Sequence, residues 1–192
     1  MSREEIRFLA DVVARPLSTT VARYQRLHLS RRRGNAVRQD LARGGIIEAV
    51  QIATRAGQVV LYQLTDTGRS LCGAVGIDPG RRPRESLEHR YWVAKAREHF
   101  EAAGYDVTAE HPIRGNGAVD LLAERPGHRV AIEVETGKSD VGENLANAAK
   151  GGFDRVILIA TSPDAVTACS RAIDNTKADA PPAELRTWLD IS

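Results

Sequence analysis

The chain has 192 residues, 42% of them hydrophobic and 27% charged, with a formal net charge of +2. That length holds one large domain or two small ones, and the composition is that of a globular protein rather than a disordered or fibrous one. No apolar run approaches a membrane span, the start Met1-Ser2-Arg3-Glu4-Glu5 lacks a signal-peptide pattern, and Cys72 and Cys169 form no metal-ligand spacing, so a cytoplasmic protein without membrane contact, zinc or disulfides is expected.

The small net charge conceals an asymmetry. Residues 1–85 hold 15 Arg and no Lys against 8 acidic residues, a balance of +7. Residues 86–192 hold the other 12 basic and 17 acidic residues, a balance of −5. A basic half followed by an acidic half suggests a nucleic-acid-binding module joined to one that gathers carboxylates. The Pro/Gly/Arg stretch from Gly76 to Arg84 has no periodicity and separates them, so domains are expected over 1–78 and 86–192.

In chain order, Ser2 and Glu5 have capping-box spacing and open a helix through about Ala14, which Pro16 ends. Val21, Tyr24, Leu27 and Leu29 predict a second helix. Ser30 caps a third, from Arg31 to about Arg43, stopped by Gly44-Gly45. Two strand-like runs, 46–52 and 58–64, flank a turn at Arg55-Ala56-Gly57, and a short helix follows from Asp66 to about Cys72. From the residues alone the third helix is a basic face, which fits solvent, a protein partner or DNA.

Three helices, a two-stranded ribbon and a short helix resemble the winged helix-turn-helix family of bacterial and archaeal regulators, over about residues 3–75. The resemblance rests on residues 27–47, which include Ser30-Arg31-Arg32-Arg33-Gly34-Asn35, and on Leu64-Thr65-Asp66-Thr67-Gly68-Arg69. It implies an α+β winged helix whose third helix enters the major groove, placing Arg31, Arg32, Arg33, Asn35, Arg38 and Gln39 at DNA. Arg55, in the wing, would reach the backbone or minor groove. Arginine and asparagine suit that role because they pair bidentately with guanine and adenine edges, and arginine also holds phosphates.

In the second half, a helix from about Ser86 to Ala103 carries Leu87, Tyr91, Ala94 and Phe100. Strands are expected over 105–110, 118–124 and 129–135, followed by a helix capped at Asp140 and running to about Lys150. The unbroken apolar run Val156 to Ala160 predicts a buried central strand, Ser162-Pro163 opens another helix, and a last strand is expected over 185–189. Alternation puts Glu133 and Glu135 on one face of their strand and Ile132 and Val134 on the other. With Asp120, these are three carboxylates on an apolar sheet, where they repel one another and lose hydration; a divalent cation removes both penalties, and pairing with arginines is the other reading. Carboxylate oxygens favour a hard cation such as magnesium. His89, His99, His111 and His128 show no spacing of a triad or metal site, and Thr136-Gly137-Lys138-Ser139 lacks the upstream glycine of a phosphate loop.

The order α-β-β-β-α-β-α-β, with Asp in the second strand and Glu-x-Glu ending the third, resembles the restriction-endonuclease-like, PD-(D/E)XK nuclease superfamily over roughly residues 86–175. It implies an α/β core of αβββαβ order with a mixed sheet, and Mg2+ (or Mn2+) held by Asp120 and Glu133, with Glu88 on the first core helix completing the metal set. The family's final motif position is usually Lys and here is Glu135, which would serve as a second metal ligand or orient the attacking water; Lys138 or Lys150 would supply the cation. The expected function is a magnesium-dependent endonuclease, targeted by the winged helix to double-stranded or branched DNA, with a homodimer among its expected assemblies. The alternative is a DNA-binding regulator or mobile-element accessory protein with an inactive nuclease fold, and a third reading is an adaptor bound through the arginine helix.

Overall fold

A computed structural model describes residues 1–113, 117–176 and 180–191. The chain divides into two compact units, Met1–Glu88 and His89–Ser192.

The first unit is α1 (Arg3–Ala14), α2 (Thr20–Arg26), α3 (Arg31–Arg43), the antiparallel pair β1 (Ile47–Thr54) and β2 (Gly57–Leu64), and α4 (Asp66–Ala74). Its helices begin where side-chain oxygens satisfy the first free backbone amides. Ser2 and Glu5 form a reciprocal capping box, and Thr19, Ser30 and Thr65 cap α2, α3 and α4. The second helix is shorter than its apolar pattern suggests: it stops at Arg26, and His28 turns left-handed with φ 56°, which ends the helical run before Leu29. Phe8, Leu9, Val12, Tyr24, Val37, Leu41, Ile47, Tyr62 and Cys72 form one apolar core. Two glycines allow this packing. A Cβ on Gly34 would lie 2.6 Å from the Tyr24 ring, and one on Gly68 would lie 2.0 Å from the Ile46 carbonyl oxygen.

A charged cluster is buried in the same unit. Asp11, 5% exposed, pairs with the fully buried Arg23 and accepts hydrogen bonds from Arg26 at 2.7 and 3.0 Å. Arg23 also donates to the carbonyl oxygens of Arg15 and Ser18 and lies over the Phe8 ring. Burial raises the Asp11 carboxyl, but the Arg26 hydrogen bonds and the charges of Arg23, Arg26 and Arg15 outweigh it and hold Asp11 below the usual aspartate value.

The second unit is built on a mixed five-stranded sheet in the order β3-β4-β5-β6-β7. The strands are β3 (Asp106–Ile113), β4 (Gly117–Arg125), β5 (His128–Glu135), β6 (Arg155–Ala160) and β7 (Ala183–Thr187). The first three pair antiparallel, and β5–β6 and β6–β7 pair parallel. α5 (Leu87–Ala102) leads into β3, α6 (Val141–Ala148) joins β5 to β6, and α7 (Pro163–Asp174) joins β6 to β7. Val141, Leu145, Ala165 and Cys169 from α6 and α7 pack on Ala131, Val156, Leu158 and Ala160. Because strand side chains alternate, Glu133 and Glu135 share the Ala131 face, while Ile132 and Val134 take the other.

In the second unit three elements depart from the sequence reading by two residues or more. β3 continues beyond Glu110 to Ile113, although Glu110 itself is left-handed with φ 51°. α6 ends at Ala148 and tightens into a 3-10 turn over Ala149–Gly151, before Gly152 takes φ 68°. β7 spans Ala183–Thr187 rather than 185–189, because the Asp190 carboxylate accepts the Thr187 amide and folds the following residues into a turn. No helix among the described residues is long and apolar enough to cross a membrane.

Candidate functional site

Asp120 stands where the sheet's backbone pairing opens. The β3–β4 register passes from Ala109↔Leu121 to His111↔Val119 without pairing Glu110 and Asp120, and the β4–β5 ladder begins only at Leu121↔Ile132. The Asp120 side chain occupies that opening: its Oδ2 accepts the Val134 amide at 2.8 Å. The same oxygen lies 3.1 Å from His89 Nε2, on the first turn of α5. With these partners the Asp120 carboxylate is fixed in direction while remaining part-exposed.

Glu133, 7% exposed, lies beside it. Burial, then the Asp120 charge, then the Glu135 charge push its carboxyl up to about 9, against the opposing pull of a hydrogen bond from the Asp120 backbone. A hydrogen bond between the Asp120 and Glu133 carboxyl groups raises it further. Near neutral pH, therefore, Glu133 keeps its proton beside Asp120. That is a pair of hard oxygen donors with less negative charge than its chemistry allows.

Glu135 is 1% exposed and its carboxylate is turned to the start of α6. Ser139 Oγ donates to Oε2, and Asn144 Nδ2 donates to Oε1 at 2.9 Å. Thr161 anchors the same residue through its backbone, its amide and hydroxyl reaching the Glu135 carbonyl at 3.0 and 3.1 Å. Burial and the Glu135 charge push the nearby Cys169 thiol up to about 12, which keeps it protonated and unreactive.

The structure thus joins Asp120 with Glu133 and leaves the other expected members differently placed. Glu88 sits at the start of α5, half-buried, and it is the next residue, His89, that reaches Asp120. Lys138 is exposed in the loop after β5, and Lys150 donates to Asn147 Oδ1 at 2.8 Å on the 3-10 turn. Among the described residues no group of three or more His, Cys, Asp or Glu is arranged to hold a metal ion. The sequence reading missed His89, Ser139 and Asn144. His89 carried one usable signal, its place beside Glu88 on the helix that leads into the sheet.

The basic helix of the first unit is a separate surface. Arg31, Arg32, Arg33 and Gln39 are exposed on α3, with Asn35 and Arg38 half-buried. Two of the six are already engaged: Arg33 forms an ion pair with Glu4, and Asn35 accepts a hydrogen bond from the Tyr24 hydroxyl at 3.0 Å. Arg38 and Gln39 line a hollow of about 300 Å³ with Arg43, Ala49 and Tyr62, and the Arg38 Nε is buried with no hydrogen-bond acceptor among the described residues. Arg55 is exposed at the β1–β2 turn. Comparison of the chain with protein-family models, curated proteins and solved structures found no match.

Proposed function

We propose that this chain is a DNA-binding, magnesium-dependent endonuclease: a winged helix-turn-helix unit that holds DNA and a restriction-endonuclease-like unit that cleaves it. One observation carries the proposal. Two carboxyl groups, Asp120 and Glu133, meet at the opening of the five-stranded sheet, one fixed by hydrogen bonds and the other held protonated by burial beside a like charge. Strongly perturbed acids in contact are a feature of functional sites, although structural ion-pair networks perturb acids as well.

The residues fit magnesium or manganese. Asp120 and Glu133 would hold the cation, since one or two carboxylates with water and substrate phosphate are the donors magnesium takes. When bound, the metal supplies an activated water and neutralises charge on the phosphate. The chain's own residues prepare that site. His89 and the Val134 amide fix Asp120, and Glu133 would lose its proton where a cation is held. Lys138, exposed beside the strand end, brings a positive charge toward the substrate phosphate. The arginines of α3 would meet the duplex, where guanidinium groups hold backbone phosphates.

A second reading keeps the DNA-binding unit and makes the other an inactive nuclease fold in a regulator or mobile-element accessory protein. The commitment of both Glu135 oxygens to Ser139 and Asn144 favours it, because it removes the third acid from the site. Incubating plasmid DNA with the protein in magnesium, manganese or EDTA separates the two. The nuclease reading expects metal-dependent nicking that Asp120→Ala and Glu133→Ala each abolish. Wild-type protein that neither cuts nor binds either metal by calorimetry, yet retards duplex DNA, establishes the second reading.

A further inference from the structure

The acid at the strand end has a different task from the two beside it. Glu135 ends β5, and the loop from Thr136 to Asp140, carrying Lys138, connects it to α6. Its carboxylate receives one hydrogen bond from within that loop, from Ser139, and one from the second turn of α6, from Asn144. Its carbonyl receives two from Thr161, which follows β6. Three segments are therefore tied to one residue, and both carboxylate oxygens are used in doing so. The loop needs such a tie. Gly137 adopts φ 79°, and Lys138 lies exposed with no hydrogen bond or ion pair to another described residue.

We propose that Glu135 is a positioning residue: a buried clamp that fixes the β5–α6 loop and so presents Lys138 to the phosphate, rather than a ligand or base. The positive charge and its support are then split between two residues, Lys138 in the loop and Glu135 beneath it. This inference rests on the nuclease reading for its consequence in catalysis, but the clamp itself is independent of cleavage. A glutamine at 135 keeps the shape and can still accept from Asn144 and bond Ser139, whereas a catalytic carboxylate cannot be replaced by an amide.

The test uses the full-length protein and two readouts, amide hydrogen exchange over residues 136–144 and magnesium-dependent plasmid nicking. Glu135→Ala should speed exchange in this segment and lower nicking by up to about a hundredfold, the scale of a misplaced catalytic group. Glu135→Gln should restore both most of the way. As a control against unfolding of the unit by Glu135→Ala, the paired variant Ser139→Ala/Asn144→Ala, which leaves the acid intact, should loosen the same segment and lower nicking in the same way. Loss of nicking in Glu135→Gln with undisturbed exchange would overturn the proposal, because the charge itself would then be required. Unchanged exchange in both Glu135→Ala and the paired variant would overturn it too. If the wild-type protein does not cut DNA, the nuclease reading fails and the exchange measurement alone still decides the clamp.

Discussion

Glu133 keeps a proton near neutral pH that it loses when the chain unfolds, and the consequence for stability has a definite sign. An unfolded glutamate titrates near about 4.3, while in the fold this one sits at about 9. Between those values the native state binds the extra proton, so stability falls as pH rises through this window. For metal-free protein the slope contributed is at most about 1.4 kcal/mol per pH unit. Glu133→Gln should flatten it, as measured by urea unfolding between pH 5 and 8; a slope equal to wild type would mean that Glu133 is already ionised in the fold. Asp11 behaves oppositely. Its folded value is depressed, so its contribution is present above the ordinary aspartate range and is lost as pH falls below it. Asp11→Asn leaves Arg23 buried without its counter-charge and should cost on the order of 3–5 kcal/mol near neutral pH, with the acid limb of the stability profile flattened.

At the scale of elements, α4 lies so close to the strand entrance that the glycine cannot be replaced without movement. Gly68→Ala would drive its new methyl into the Ile46 carbonyl and should destabilise the first unit by about 1–3 kcal/mol, read as a lower thermal midpoint. A midpoint within error of wild type would show that α4 shifts freely. Most elements were legible in the sequence because their signals are local: Ser2 with Glu5, Ser30, Ser162 before Pro163, and the apolar run ending at Ala160 all mark real boundaries. The site was only partly legible. Asp120 and Glu133 stood out as acids among apolar neighbours, yet His89 reaches Asp120 across a separation of 31 residues, a contact made by packing and not by spacing. Glu135 had the right alternation for the same face, but alternation cannot say that Ser139 and Asn144 will take its oxygens. The short second helix likewise depended on the left-handed turn at His28, which no apolar pattern announces.

For the whole molecule, the uneven charge sets the expected response to salt. If α3 carries DNA, affinity for duplex should fall steeply as salt rises, because arginines displace condensed counterions. Replacing Arg31 and Arg32 by Ala should reduce the slope of log affinity against log salt by about two units if each neutralises a phosphate, whereas Arg33→Ala should change it less, its charge being already paired with Glu4. Filter binding across a salt series checks both, and an unaltered slope in the double variant would move the DNA contact off this helix. The rims of the five-stranded sheet bear on a different matter, the behaviour of the protein when crowded. β3 forms one rim, with the left-handed Glu110 and Pro112 within it, and β7 forms the other, entered from Pro181-Pro182. Proline offers no amide to an incoming strand and the kink at Glu110 disturbs the straight template such a strand requires. Both borders are therefore poor seeds for strand-by-strand polymerisation, so concentrated samples should resist growth into fibrils even though β6, between those borders, is apolar from Val156 to Ala160.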